Sequence, residues 1–251
     1  MIELPDAPSQ QVAAWHALFE IYEMMPIGWT LIGGQAVFLH TIDRSGPVVR
    51  ATEDADAALD VRERSDMLSV FTGGLVRLGF ESAGESPDGH QHRWTRGDAA
   101  IDVLIPRWTG ERTARRTGVT GGTTIEAPGT QQALARSEVR SVSIGGKTGN
   151  INVTSFLGCL IGKAAALRIN DDPKWERHLS DALSLLSRLR AADVRGVDFS
   201  PAEKAHLAKL LESLEASPKL VGAFPEGRAA LQRLRSIARG WNSTDPNLKL
   251  K

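Results

Sequence analysis

After Thr154 the apolar residues change their period, and this change constrains the fold more than any other feature of the chain. Up to Thr154, stretches of strand spacing alternate with stretches of helical spacing; from Ser155 onward only helical spacing remains. The pattern predicts an α/β (α+β) chain with a mixed α/β core over residues 1–154 and an all-α region over residues 155–251.

Within the first part, QQVAAWHALFEIYEM (10–24) has helical spacing and is ended by Pro26 and Gly28. Trp29 to Ile32 reads as a strand, Gly33-Gly34 as a turn, and about Gln35 to Thr41 as a helix. Arg50 to Val61 reads as an acidic strand and 65–78 as an amphipathic helix. Residues 79–84 and 90–96 read as strands around ESPDG, and AAIDVLIP (99–106) as a buried strand holding one acid. A polar, basic loop covers Arg107 to Gly122, and 138–144 with 150–154 form a hairpin around GGKTGN. In the second part, helices are expected over about 155–169, from Asp172-Pro173 to about 190, from SPAE (200–203, capping-box spacing), and after Pro225.

A length of 251 residues suffices for one large domain or two small ones. Formal net charge is zero, so nothing pulls the whole chain toward nucleic acid or membrane, and any such binding would need a local patch. The single cysteine, Cys159, excludes an internal disulfide and a cysteine-based zinc cluster and suits a reducing cytoplasm. The first residues, MIELPDAPSQQ, are polar and acidic, unlike a signal peptide. No apolar run approaches the about 20 residues of a membrane span, so no membrane partner is expected.

The acidic strand RATEDADAALDV poses the chemical question. Residues two apart on a strand face the same way, so Asp54 and Asp56 project together with Arg50 and Thr52. Carboxylates this close repel unless a cation lies between them. A hard divalent ion such as Mg²⁺ takes one or two carboxylates plus substrate phosphates, and two-metal phosphoryl chemistry commonly recruits a third, for which Asp102 in AAIDVLIP is placed. An edge strand with a solvated acidic face accounts for Asp54 and Asp56 equally well. Gly33-Gly34 between strand and helix would let backbone N–H groups approach a phosphate. Lys163 lies on the apolar face of its helix with Phe156, Leu160 and Leu167, so it either snorkels outward or meets an anion. On the next helix, Trp175, Leu179, Ala182, Leu186 and Leu189 form the core stripe, with His178 and Asp181 beside it. Arg107, Arg112, Arg115 and Arg116 follow the strand of Asp102 and suit either an RNA backbone or a solvated loop.

In their order (strand, Gly-Gly, helix, Asp-x-Asp strand, later Asp strand) these motifs resemble the nucleotidyltransferase superfamily, and within it the AbiEii and MenT type toxins of bacterial type IV toxin–antitoxin systems. That family's Gly-Gly turn and Arg-x-Ser/Thr-x-Asp-x-Asp read here as GGQAVFLHTID and RATEDAD. Its K-x-x-A-L-x-x-R is matched by Lys163 and Arg168, and its following helix by Arg177 and Asp181, with His178 where the family often has Asp. The resemblance implies a nucleotidyltransferase-like mixed sheet completed by the helical region. It implies a nucleoside triphosphate on Gly33, Gly34, Thr52 and Lys163, and Mg²⁺ or Mn²⁺ on Asp54, Asp56 and Asp102. Asp181 would orient the lysine or activate the acceptor. The implied reaction moves a nucleoside monophosphate to a hydroxyl, such as a tRNA 3′ end, blocking translation in a toxin–antitoxin or phage-defence setting with a cognate antitoxin. Transfer to a protein or a small molecule, and a catalytically silent binding module, stand as alternatives.

Two other motifs are weaker. SVSIGGKTGN ends like a P-loop, but serine stands at 141 and no helix follows, so a hairpin turn is the reading. His90 and His92 alternate as zinc ligands can, without further clustered His or Cys, and read as surface or site-edge residues.

Overall fold

The structure, a computed structural model, describes residues 1–46, 52–107, 110–169, 172–173 and 175–240, with the side chain of Arg112 excepted. Arg50 and the expected start of the acidic strand lie outside the described residues.

Among those residues, nine strands form one mixed sheet. They are β1 (Ile2–Glu3), β2 (Trp29–Ile32), β3 (Asp54–Leu59), β4 (Glu81–Ser82), β5 (Arg93–Arg96), β6 (Ala99–Pro106), β7 (Ile125–Ala127), β8 (Ser137–Ile144) and β9 (Lys147–Thr154). The order is β1-β8-β9-β2-β3-β6-β5-β4, with β7 pairing β6 beyond β5. β3 runs antiparallel to β2 and parallel to β6, so the acidic strand is central and is not an edge strand. Its inward residues Ala55, Ala57 and Leu59 are fully buried.

Two helices precede β3: α1 (Ser9–Met24) and α2 (Gly33–Asp43), the latter taking Gly33 and Gly34 into its first turn instead of leaving them as a separate turn. α3 (Met67–Arg77), α4 (Glu111–Ala114) and α5 (Thr130–Ala135) follow. α1 packs on β3, β6 and β9, burying Trp15, Leu18 and Ile21. The short elements β1, β7, α4 and α5 carry too few residues to show a period, and sequence spacing does not announce them. The hairpin is tighter than expected, because strand pairing runs through Lys147↔Ile144 and leaves only Gly145-Gly146 in the turn.

Among the described residues every strand lies at or before Thr154. Beyond it come α6 (Phe156–Ala166), α7 (Trp175–Ser187), α8 (Ala191–Val194), α9 (Pro201–Glu215), α10 (Pro218–Ala223) and α11 (Gly227–Gly240). Ser155 caps α6 by accepting from Gly158 N–H at 3.2 Å. The SPAE capping box forms as its spacing predicts, with Ser200 N–H donating to Glu203 at 2.9 Å and Glu203 N–H to Ser200 Oγ at 3.3 Å. α7 starts at Trp175, not at Pro173, and Trp175 is exposed, outside the stripe assigned to it.

The helices that bear on the sheet are pinned to it by polar contacts. Arg44, at the C-cap of α2, lies 3.5 Å over the Phe156 ring and forms a fork with Asp193 of α8 at 2.6 and 2.8 Å. His40 of α2 donates from Nε2 to Thr154 O at 2.7 Å, at the junction of β9 with α6. Burial pulls the His40 imidazole down to about 4 from an ordinary 6.5. Between those values the unfolded chain binds a proton that the folded one does not, so stability falls as pH drops through this window and is fully retained above it. From pH 7 to pH 4, urea denaturation of the wild type should lose about 3 kcal/mol more than that of His40→Gln; equal slopes would show that His40 takes up its proton without unfolding.

Candidate active site

Strand register builds the acidic face. Asp56 pairs with Asp102, and Asp102 pairs in turn with Arg93 on β5, so Asp56, Asp102 and Arg93 lie side by side across three strands. Asp54, two residues before Asp56, joins the same face. The sheet spacing of about 4.8 Å leaves these carboxylates no room to separate by moving along the backbone. Burial, then the charges of Asp54 and Asp102, push the Asp56 carboxyl up to about 7; Lys163 and a hydrogen bond from Gly34 N–H act the other way.

Gly33 is required where it stands. Its φ is +70°, and a Cβ there would lie 1.7 Å from Asp56 Oδ2. The start of α2 is therefore fitted to the Asp56 carboxylate itself. Gln35, not singled out from the sequence, completes the arrangement. Its buried Oε1 accepts from Gln11 at 3.0 Å and Trp15 Nε1 at 2.8 Å, while its Nε2 donates to Thr52 O at 2.8 Å. This fixes the chain entering β3 and sets Thr52 Oγ1 3.3 Å from Asp54 Oδ1.

A cavity of about 390 Å³ opens over this face. One wall is polar: Gly33, Gly34, Thr52, Asp54, Asp56 and Asp102. Lys163, Arg177 and His178 come from the helical region. Small and apolar residues of the α5–α6 side, among them Gly129, Ala133 and Gly162, complete the lining. Lys163 does not snorkel: it is buried and pairs with buried Asp181 at 2.8 Å. His178, half-buried, bonds Asp172 at 2.9 Å, and its imidazole is pulled below its usual range by burial and by Lys163. Cys159 also lines the cavity, but burial pushes its thiol up to about 12, so it stays protonated and is no nucleophile.

The sequence-based candidates thus divide. Gly33, Gly34, Thr52, Asp54, Asp56, Asp102 and Lys163 meet at one cavity, with Asp181 behind the lysine. None of Arg107, Arg115 and Arg116 is among its lining residues, and the Arg112 side chain lies outside the described residues. Arg115 pairs with Glu111 at the surface and Arg116 donates to Val61 O. His90 bonds Thr123 Oγ1 at 2.9 Å. Besides Gln35, sequence reading missed Arg93, which bonds both oxygens of Asp102 at 2.7 and 2.8 Å and Asp54 at 2.6 Å. Its only sequence signal is its place in HRWTR, across a short hairpin from AAIDVLIP.

The donor set suits a hard divalent cation: three carboxylates on one face, with Asp56 pushed toward neutrality by burial and by the charges of Asp54 and Asp102. With Arg93 between Asp54 and Asp102, no three His, Cys, Asp or Glu side chains among the described residues are gathered tightly enough to hold an ion as they stand.

Neither protein-family models nor curated proteins give a match to the chain. Solved structures do. An antigenic nucleotidyltransferase-like protein from Paracoccidioides brasiliensis superposes with a TM-score of 0.53 at 18% identity, over 91% of this chain and 95% of that one. The antibiotic-resistance factor ANT(2'')-Ia, known from its solution structure, gives a TM-score of 0.38 at 16% identity, over 94% and 93%. The fold of the chain is nucleotidyltransferase-like, with a helical C-terminal region.

Three substitutions check the site's construction. Gly33→Ala should cost about 2 kcal/mol or more, from the positive φ and the collision with Asp56; a thermal melt unchanged within a degree would mean the first turn of α2 is not seated as described. Removing one member of the buried pair, as in Lys163→Met or Asp181→Leu, should cost about 3 kcal/mol, and the double variant should cost less than the two summed. Additive losses in a double-mutant cycle would show the two side chains to be energetically independent.

Proposed function

We propose that the chain is a divalent-metal-dependent nucleotidyltransferase, moving a nucleoside monophosphate from a nucleoside triphosphate to an acceptor hydroxyl with release of pyrophosphate. The observation that carries this reading is the meeting of Asp54, Asp56 and Asp102 with Lys163 around one cavity on a nucleotidyltransferase-like fold.

In this reading Asp54, Asp56 and Asp102 hold Mg²⁺ or Mn²⁺, which when bound supplies Lewis-acid charge to phosphate oxygens. Gly33, Gly34 and Thr52, beside the carboxylates at the start of α2, seat the triphosphate. Lys163 faces the cavity from α6 and balances negative charge on the phosphates as pyrophosphate leaves. Asp181 keeps the lysine amine aimed. The acceptor oxygen bonds to the α-phosphorus, the bond to the β-phosphate oxygen breaks, and the hydroxyl proton passes to a carboxylate of the acidic face. Most of the rate gain in such a step comes from positioning and charge, which rigid β3, β6 and α6 are suited to provide.

The acceptor we propose is the 3′ hydroxyl of tRNA, on the resemblance to AbiEii and MenT type toxins. Arg177 at the cavity and the exposed arginines after β6 offer phosphate contacts. The biological setting would then be a toxin that blocks translation, held in check by a cognate antitoxin. The test incubates the protein with Mg²⁺, total bacterial tRNA and each α-labelled nucleoside triphosphate. Label should enter RNA with one nucleotide and fall at least about a hundredfold in Asp56→Asn. Label in protein would replace the acceptor; no label with any nucleotide would remove transfer as the function.

A further inference from the structure

Among the charged residues that line the cavity, Arg93 has no place in the transfer scheme, although it makes more contacts to the acidic face than any other described cation. We propose that Arg93 is a resident counter-ion that competes with divalent metal: it holds Asp54 and Asp102 in the metal-free protein and must let go of them before an ion can bind. This rests on the reading of Asp54, Asp56 and Asp102 as the metal ligands.

The geometry supports competition over passive support. Nε reaches Asp102 Oδ1 at 2.8 Å, and Nη2 reaches Asp102 Oδ2 at 2.7 Å and Asp54 Oδ2 at 2.6 Å. One guanidinium thus engages both oxygens of one carboxylate and one of the other. The second oxygen of Asp54 accepts from Thr52. Asp56 is turned elsewhere, to the Gly34 N–H. A small hard cation needs carboxylate oxygens about 2.1 Å away and directed at it. It cannot share a gap with a guanidinium whose own contacts are all below 3 Å.

The partners also differ in freedom. The Asp102 side chain is 12% exposed and sits in the middle of β6, flanked by β3 and β5, so it cannot turn away. Arg93 is the first residue of β5, and its side chain is 44% exposed. It can swing into water and keep its charge solvated at little cost. The element that yields is therefore the arginine, and the carboxylates are left aimed where it stood.

Competition for the same oxygens is a linkage, so it has a sign and a reciprocal. Anything that removes the fork should tighten metal binding and should make the metal-free protein less stable. A lysine keeps the charge but cannot engage both oxygens of Asp102 at once. Arg93→Lys should therefore fall between wild type and Arg93→Gln.

The experiment titrates Mn²⁺ into the full chain without nucleotide, following free Mn²⁺ by electron paramagnetic resonance, for wild type, Arg93→Gln and Arg93→Lys. Thermal melts with and without Mn²⁺ show that each variant is folded. Arg93→Gln is expected to bind Mn²⁺ about 10- to 100-fold more tightly than wild type. It should melt lower without the ion and gain more from it than wild type does, with Arg93→Lys intermediate on both counts. Affinity in Arg93→Gln equal to or weaker than wild type overturns the proposal and makes the arginine a support for the metal site. Arg93→Lys binding as weakly as wild type also overturns it, because charge alone would then account for the effect. If no variant binds Mn²⁺ while labelled nucleotide transfer persists, the competition falls and the transferase reading stands; if both fail, the metal-dependent reading falls with it.

Discussion

Repulsion among three carboxylates on one sheet face sets the terms for the rest of this molecule. Asp56 and Asp102 are register partners on parallel neighbouring strands, and Asp54 is one pleat away. Two such charges at this separation, partly shielded from water, oppose each other by several kcal/mol at an effective dielectric near 20. The fold answers from three separate elements: Arg93 from β5, the Gly34 amide from α2, and Lys163 from α6. None of these relieves the charge completely, since the Asp56 carboxyl still rises to about 7. An unrelieved negative face fitted to oxygen-loving cations is what a phosphoryl-transfer centre requires, and it is costly for a purely structural one.

The Lys163–Asp181 pair has the same logic. A buried ion pair rarely adds net stability over an apolar pair of similar volume. Its presence in the α6–α7 packing is thus poorly explained by stability. It is better explained by the need for a lysine whose position is set before any ligand arrives. The pair ties α6 to α7, and the Arg44–Phe156–Asp193 contacts and the His40–Thr154 bond hold α2 against the start of α6.

What could be read from the sequence follows from how local each signal is. The alternation of β3 is a period-two signal that puts Asp54 and Asp56 on one face, and the apolar run of β6 marks Asp102 as a lone acid in a buried strand; only the register Asp56↔Asp102 brings the third carboxylate to that face. The apolar face of α6 leaves Lys163 either to snorkel outward or to meet an anion; the anion it meets, Asp181, lies on another helix, at a distance that periodicity does not encode. Arg93 was invisible for the same reason. In HRWTR it looks like any surface arginine of a hairpin, and only the register Arg93↔Asp102 makes it part of the site. Gln35 was hidden because its function lies in three long-range hydrogen bonds. Helical spacing alone places Trp175 in a core stripe, whereas it sits at the first residue of α7, where spacing does not secure burial.

Gly33-Gly34 shows how a sequence motif and its physical duty can differ. From the sequence, a glycine pair between strand and helix suggests room for a phosphate. In the structure, the anion that the helix start meets is the Asp56 carboxylate, held by the Gly34 N–H and packed so closely on Gly33 that no side chain would fit. The positive end of α2 is thus committed first to an acid of the chain itself. A triphosphate seated there would share the amide field with Asp56, and a cation between the two anions would be needed to keep them together. The glycines and Asp56 are therefore one device: shifting the glycine backbone outward would take the Gly34 N–H away from Asp56 and lower its acidity.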